Sequence, residues 1–319
     1  MIIEMNNTTR ICLMNTYPLT VKNFRFCLIL SILLLLISYT TKAQDSPVIA
    51  DGAKLTLVSD QFSFTEGPAA DKDGNVFFTD QPNNKIWEYS TAGKLSIFMD
   101  QTGRSNGMYF DKDGNLITCA DEHDQLWSIS PAKKVTVLVK NYDGLRLNGP
   151  NDCWIDPKGG IYFTDPYYQR NYWKRTHPDI KQQRVYYLSP DRKHVSVVVN
   201  DLDKPNGLIG TPDGQTLYIA DIGAGRTYSY DINNNGHLFG KSLFANMGSD
   251  GMTIDDQGNV YLCGNGVTVF DSNGNEIEHI DVPQKWTANV TFGGPDLQTL
   301  FITASKAVYT LKMKVKGAK

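Results

Sequence analysis

The sequence predicts an all-β fold, a six-bladed β-propeller of four-stranded antiparallel blades, on three observations. One phrase recurs six times, each copy consists of short strand-forming segments split by turn residues, and no stretch carries a sustained helical period. The copies read EGPAADKDGNVFFTD from Glu66, NGMYFDKDGNLITCAD from Asn106, NDCWIDPKGGIYFTD from Asn151, NGLIGTPDGQTLYIAD from Asn206, DGMTIDDQGNVYLCGN from Asp250 and, more weakly, NVTFGGPDLQTLFITA from Asn289. Each pairs a short apolar segment with a β-branched and aromatic run across a polar turn, the pattern of a hairpin. A second alternating pair follows, in the first copy Lys85 to Tyr89 and Leu95 to Phe98, joined through Thr91-Ala92-Gly93. Units of roughly 46 residues fit propeller blades, whereas a pair of β-sandwiches does not demand a repeat of fixed phase. The last copy, with Thr299 to Ala304 and Ala307 to Lys312, ends one strand short. Leu55 to Val58 can supply that strand, so that the N-terminal segment joins the last blade and no long edge is left exposed.

The N-terminus differs in kind. Lys22 and Arg25 precede the apolar run Phe26 to Tyr39, and Thr41-Lys42-Ala43 follows it. That order reads as a signal peptide over residues 1–43, cleaved after Ala43, with residues 44–319 forming one propeller domain. The apolar part is shorter than the ~20 residues of a spanning helix, so the expectation is an exported protein, periplasmic or secreted, with no stable membrane insertion after cleavage. The long stretch before Lys22 suggests Met14 as an alternative start. A formal net charge of -3 gives no electrostatic case for nucleic acid. Of five cysteines, Cys119, Cys153 and Cys263 lie beyond the leader, an odd and sparse set that reads as buried structural thiols rather than a disulfide framework. With no apolar stripe fit for a large interface, a monomer is expected.

The repeated turns invite comparison with calcium loops. Asp71-Lys72-Asp73-Gly74-Asn75 opens like an EF-hand, but Val76 and Pro82 stand where that loop needs glycine and glutamate. These are hairpin turns. The informative register lies eight residues before each turn glycine or its equivalent, where Glu66, Asn106, Asn151, Asn206, Asp250 and Asn289 stand, all bearing side-chain oxygen. In a propeller this position opens the innermost strand of each blade, so radial symmetry gathers the six at one rim of the central tunnel. Two carboxylates and several amides converging there are costly to desolvate unless a positive charge lies among them. One hard divalent cation answers that need. Calcium accepts many oxygens in flexible geometry and is expected first, with magnesium, manganese or zinc as alternatives; no histidine or cysteine shares the register. Singly, Asn106 and Asn289 are equally well explained as residues that favour strand starts; Glu66 is not a turn former.

Thr65-Glu66-Gly67-Pro68, Arg146-Leu147-Asn148-Gly149-Pro150-Asn151-Asp152, Tyr162-Phe163-Thr164-Asp165-Pro166, Pro205-Asn206-Gly207-Leu208, Ser249-Asp250-Gly251-Met252 and Phe292-Gly293-Gly294 together resemble the gluconolactonase/regucalcin (senescence marker protein) family, and within it the bacterial gluconolactonases. The resemblance covers essentially the whole chain beyond the leader. It implies a six-bladed propeller whose metal is held by Glu66, Asn151, Asn206 and Asp250, and a substrate contact from Arg146. The family's first-blade motif usually continues with tryptophan where Ala70 stands.

The chemistry expected is hydrolysis of a sugar lactone, gluconolactone-like, to the aldonic acid. A cation polarises the lactone carbonyl, and a carboxylate, assigned to Asp250, activates water. Segments following each second strand should emerge on the ligand rim, which brings Asp80, His123, Asp165, Tyr168 and Asp221 to the mouth; Asn106, Arg146, Asp165, Tyr168, His123 and Asn289 are the candidate substrate contacts. The insertion from Pro166 to Gln183, rich in tyrosine and arginine, is either a lid or surface decoration. No Gly-x-Ser-x-Gly elbow follows the leader, which argues against a serine hydrolase. Two other functions fit the same scaffold: metal-assisted phosphotriester cleavage, since the resemblance extends to diisopropyl fluorophosphatase, and a non-enzymatic ligand-binding propeller.

Overall fold

The structure, a computed structural model, describes residues 45–318; the expected leader, residues 1–43, lies outside them. The chain forms six four-stranded antiparallel sheets, the blades of a propeller. Their inner strands are Thr65–Ala70, Ser105–Phe110, Cys153–Ile155, Pro205–Gly210, Met252–Ile254 and Thr287–Gly293. Each touches the inner strand of the blade before and after it, and the last touches the first, so the six close a ring about the axis. Away from the axis each blade steps outward through consecutive antiparallel strands, in the first blade Val76–Asp80, Lys85–Tyr89 and Leu95–Asp100. The second strand of that blade is buried along its whole length, whereas the outermost alternates toward solvent. This gradient follows from position, since an inner strand has neighbouring blades on both faces and an outer one borders water.

The hairpin turns are built as the Asp-x-Asp-Gly-Asn spacing implies. Asp71 Oδ1 accepts the Asp73 and Asn75 amides at 2.9 Å each, and its Oδ2 accepts Asn75 Nδ2 at 2.9 Å. Asp111 with Asn115, and Asp255 with Asn259, repeat the arrangement. An aspartate spent on its own turn is not free to hold an ion. Cys119, Cys153 and Cys263 are buried free thiols.

Closure of the ring uses the N-terminal segment. Thr56–Ser59 pairs antiparallel with Ala307–Lys312, Thr56 opposite Thr310 and Leu57 opposite Tyr309, and so completes the last blade from its outside. The chain then turns inward through Phe62, whose buried ring meets Phe78 edge-on at 5.2 Å and Trp87 at 5.4 Å, in a cluster that includes Phe301 and Val308. Phe62 therefore locks the first blade to the last. Replacing it with alanine should cost about 3–5 kcal/mol, whereas Leu57→Ala, at a side chain exposed in the adjoining strand, should stay within about 0.5 kcal/mol. Chemical denaturation midpoints of the two variants measure the difference; equal midpoints would mean that the junction does not hold the ring closed.

Candidate functional site

Where the inner strands begin, the chain departs from regular pairing. Pairing slips between Glu66 and Ala69, between Ser105 and Met108, between Pro205 and Leu208, and between Thr287 and Asn289. In the other two blades the strand starts two residues after the ring position, at Cys153 and Met252. A bulge re-aims a side chain that regular pleating would send between blades. The backbones crowd here: Gly67, at φ +48°, leaves no room for a Cβ against the Asn106 carbonyl, and a Cβ on Gly251 would overlap the Asn289 amide. Neighbouring ring positions are thereby brought into contact.

The outcome is a buried polar cluster. Glu66 accepts from the Gly67 amide and, at 3.2 Å, from Asn289 Nδ2. The Asp250 charge acts on the Glu66 carboxyl. Asn206 Nδ2 donates to the Tyr168 hydroxyl at 3.0 Å, and Trp286 Nε1 donates to Asp250 Oδ2 at 2.6 Å. Asn151 holds the corresponding place in the third blade, buried, with its carbonyl accepting the Gly107 amide at 2.7 Å. Asn106 is buried at the same level in the second blade. Beyond the cluster the tunnel continues toward the hairpin turns as a cavity of about 580 Å³, with Asp152 and Asn289 on its wall among mostly apolar side chains such as Met108, Trp154 and Phe292.

The electrostatics are unbalanced. Burial, and then the Asp250 and Asp152 charges, push the Glu66 carboxyl well above the usual carboxylate range. Burial likewise raises Asp250, against the lowering effect of its Trp286 and Asn206 hydrogen bonds, and carries Asp152 up to about 8. None of the three forms an ion pair with lysine or arginine among the described residues. The amide oxygens Asn206 Oδ1 and Asn106 Oδ1 are buried without a hydrogen-bond partner. Free oxygen lone pairs beside carboxyls that form no ion pair fit a hard, oxygen-preferring cation. Among the described residues no three His, Cys, Asp or Glu side chains come together as a metal cluster by themselves. Amide oxygens would have to complete any coordination shell.

Other expected contacts lie elsewhere. Asp165 is fully buried, its Oδ2 accepting the Asn148 amide and its Oδ1 the Gly149 amide, both at 2.9 Å. Asp221 does the same for the Asp203 and Lys204 amides, and Asp80 Oδ1 accepts both the Ser63 and Phe64 amides. These aspartates clamp the loops that enter inner strands; Asp165, expected as a substrate contact, uses both oxygens to hold backbone amides. Arg146 pairs with Asp179 at 3.1 Å and Asp124 at 3.8 Å, and His123 stacks on Trp127 at 5.1 Å between centroids. Neither bonds to a ring residue. Tyr168 is the one member of the expected mouth that reaches the cluster.

Three residues at or near the site escaped sequence reasoning. Trp286 sits in a loop without periodic signal. Asp152 follows Asn151 where glycine follows the ring residue at Gly67, Gly107, Gly207 and Gly251, a mismatch between copies that comparison of the repeats could have flagged. Arg170 lies in the insertion from Pro166 to Gln183. That insertion is tied down: Arg175 pairs with Asp124 at 2.5 Å and donates to the Leu147 carbonyl at 3.1 Å, its guanidinium lies 3.9 Å from the Trp173 ring centroid, and Trp173 Nε1 donates to the Asp121 carbonyl at 3.1 Å. It forms a fixed wall.

The sequence compares with known proteins in the same sense. The profile of the family described as "SMP-30/Gluconolactonase/LRE-like region" matches residues 64–306. A gluconolactonase of Zymomonas mobilis is 33% identical over 200 residues, an alignment covering 57% of this chain and 55% of that protein. The chain thus spans about half the length of that relative. Among solved structures, a gluconolactonase of Xanthomonas campestris superposes with a TM-score of 0.78 at 29% identity, covering 84% of this chain and 95% of that one. A calcium-binding regucalcin of Agrobacterium tumefaciens shares the fold, with a TM-score of 0.71 at 21% identity over 83% of this chain and 95% of that one. With the profile spanning all six inner strands, the chain belongs to the SMP-30/gluconolactonase/LRE-like family.

Proposed function

We propose that this protein hydrolyses a sugar lactone of the gluconolactone kind, with one divalent cation, calcium first, bound at the ring. The observation that carries the reading is the buried Glu66 carboxyl and the half-buried Asp250 carboxyl, whose charge acts on it, neither in an ion pair among the described residues, beside the unsatisfied Asn206 Oδ1. Glu66, Asn151, Asn206 and Asp250 would hold the ion. Bound there, it would supply a positive charge that polarises the lactone carbonyl and offsets the negative charge developing on its oxygen.

The remaining chemistry belongs to the chain. Asp250 takes a proton from the attacking water as the new C–O bond forms at the carbonyl carbon. It returns that proton to the ring oxygen as the ester C–O bond breaks, leaving the hydroxy acid. Trp286 fixes one Asp250 oxygen and thereby the direction of the other. Tyr168, hydrogen-bonded to Asn206, sets one wall of the mouth. Family membership and relatives named as gluconolactonases support the lactone over the phosphotriester. The apolar leader supports work outside the cytoplasm, and a monomer suffices because the site is built within one chain.

Treatment with a chelator should abolish lactone hydrolysis and lower the melting temperature, and added calcium should restore both; full activity in metal-stripped protein would remove the cation from the reading. Glu66→Gln should weaken metal affinity on the order of 10–100-fold, by analogy with the loss of a supporting group at metal sites, with turnover recovering at high calcium. Asp250→Asn should behave differently, with turnover falling roughly 10²–10⁴-fold even at saturating calcium, as for loss of a general base. An Asp250→Asn protein with undiminished turnover would assign the base elsewhere. A panel of lactones and phosphotriesters distinguishes the two substrate classes.

A further inference from the structure

We infer that Arg170 is a substrate-binding residue that selects lactones bearing hydroxyl groups, a role that rests on the lactone-hydrolase reading and refines it. Arg170 Nε pairs with Asp121 Oδ2 at 2.7 Å; the Asp121 side chain is 1% exposed, while that of Arg170 is 24% exposed. Asp121 is itself fixed by Gln81 Nε2 at 3.1 Å and by the Tyr172 hydroxyl. The Nε edge of the guanidinium is therefore anchored from behind by an ion pair, without a hydrogen bond. Its two terminal amino groups make no hydrogen bond among the described residues.

The position matters as much as the free donors. The guanidinium lies 5.4 Å from the centroid of Tyr168, whose hydroxyl accepts from Asn206, and its charge reaches Asp250. Lys204 Nζ approaches the Tyr168 ring at 4.8 Å. Asp121, Arg170, Tyr168 and Asn206 thus form a line from a buried anchor to the catalytic cluster. Anchoring the loop does not require Arg170, because Arg175 and Trp173 already secure it. A preorganised fork of donors next to a site that receives a cyclic ester matches the hydroxyl and carboxylate oxygens of a polyhydroxylated lactone and its product, and offers nothing to an unsubstituted ring.

The test compares Arg170→Met and Arg170→Lys with the wild-type protein loaded with calcium. Lysine keeps a charge against Asp121 but loses the fork, which preserves the experiment if the methionine variant folds poorly. The substrates are D-glucono-δ-lactone and δ-valerolactone, and gluconate binding is measured separately by calorimetry. Loss of hydrogen bonds made by a charged group predicts a fall in kcat/KM of about 10–100-fold on gluconolactone, with δ-valerolactone within roughly 2-fold and gluconate binding weakened in parallel. An equal fall on both lactones with unchanged gluconate affinity, or no change on either, overturns the assignment. If the wild type hydrolyses neither lactone, the hydrolase reading fails, and the gluconate titrations alone then decide whether Arg170 binds such oxygens.

Discussion

The repulsion between the buried Glu66 carboxyl and the half-buried Asp250 carboxyl, at the entrances to two inner strands, is the constraint around which the site is organised. Two like charges in a shared low-dielectric pocket repel, and burial alone disfavours ionising either. A fold that only needed a packed tunnel would place apolar side chains there. Instead the ring adds Asp152 and leaves amide oxygens without donors, while Asp250 accepts from Trp286 and Glu66 from Asn289 and the Gly67 amide. The arrangement makes physical sense as half of an ion-binding site, with the protein carrying the negative half.

The propeller makes that concentration possible because it converts sequence repetition into radial convergence. A residue that opens a strand in one blade meets its counterparts from the others only if the inner strands form a closed ring, and closure depends on Thr56–Ser59 completing the last blade. Bulges at the ring positions and glycines that admit the neighbouring backbone then turn proximity into contact. The distant N-terminal strand and the polar cluster are in this way parts of one mechanical problem.

Much of this was legible in the sequence. Blade number, strand order, N-terminal closure and the six ring positions all follow from a repeat of fixed phase, since phase is what radial symmetry preserves. What the repeat could not convey is the direction of a side chain in a loop. Asp165 ends the second strand of the third blade and Tyr168 lies just beyond it, yet Asp165 turns back to clamp the Asn148 and Gly149 amides while Tyr168 reaches Asn206. Three-dimensional competition for hydrogen-bond partners decides between such outcomes. Trp286 and Arg170 were hidden for a related reason, because each lies in a segment peculiar to one blade and is brought to the mouth by contacts distant in sequence. Asp152 was visible but masked, an aspartate beside an asparagine looking like one more turn.

The central claim is that oxygens from different blades share one ion. Crystals of the calcium-loaded protein, with the ion located by its anomalous scattering, address it directly. The account predicts a single strong peak on the tunnel axis, about 2.3–2.6 Å from side-chain oxygens of Glu66, Asn151, Asn206 and Asp250. A peak bound elsewhere, or an ordered ring with no ion at saturating calcium, would contradict it.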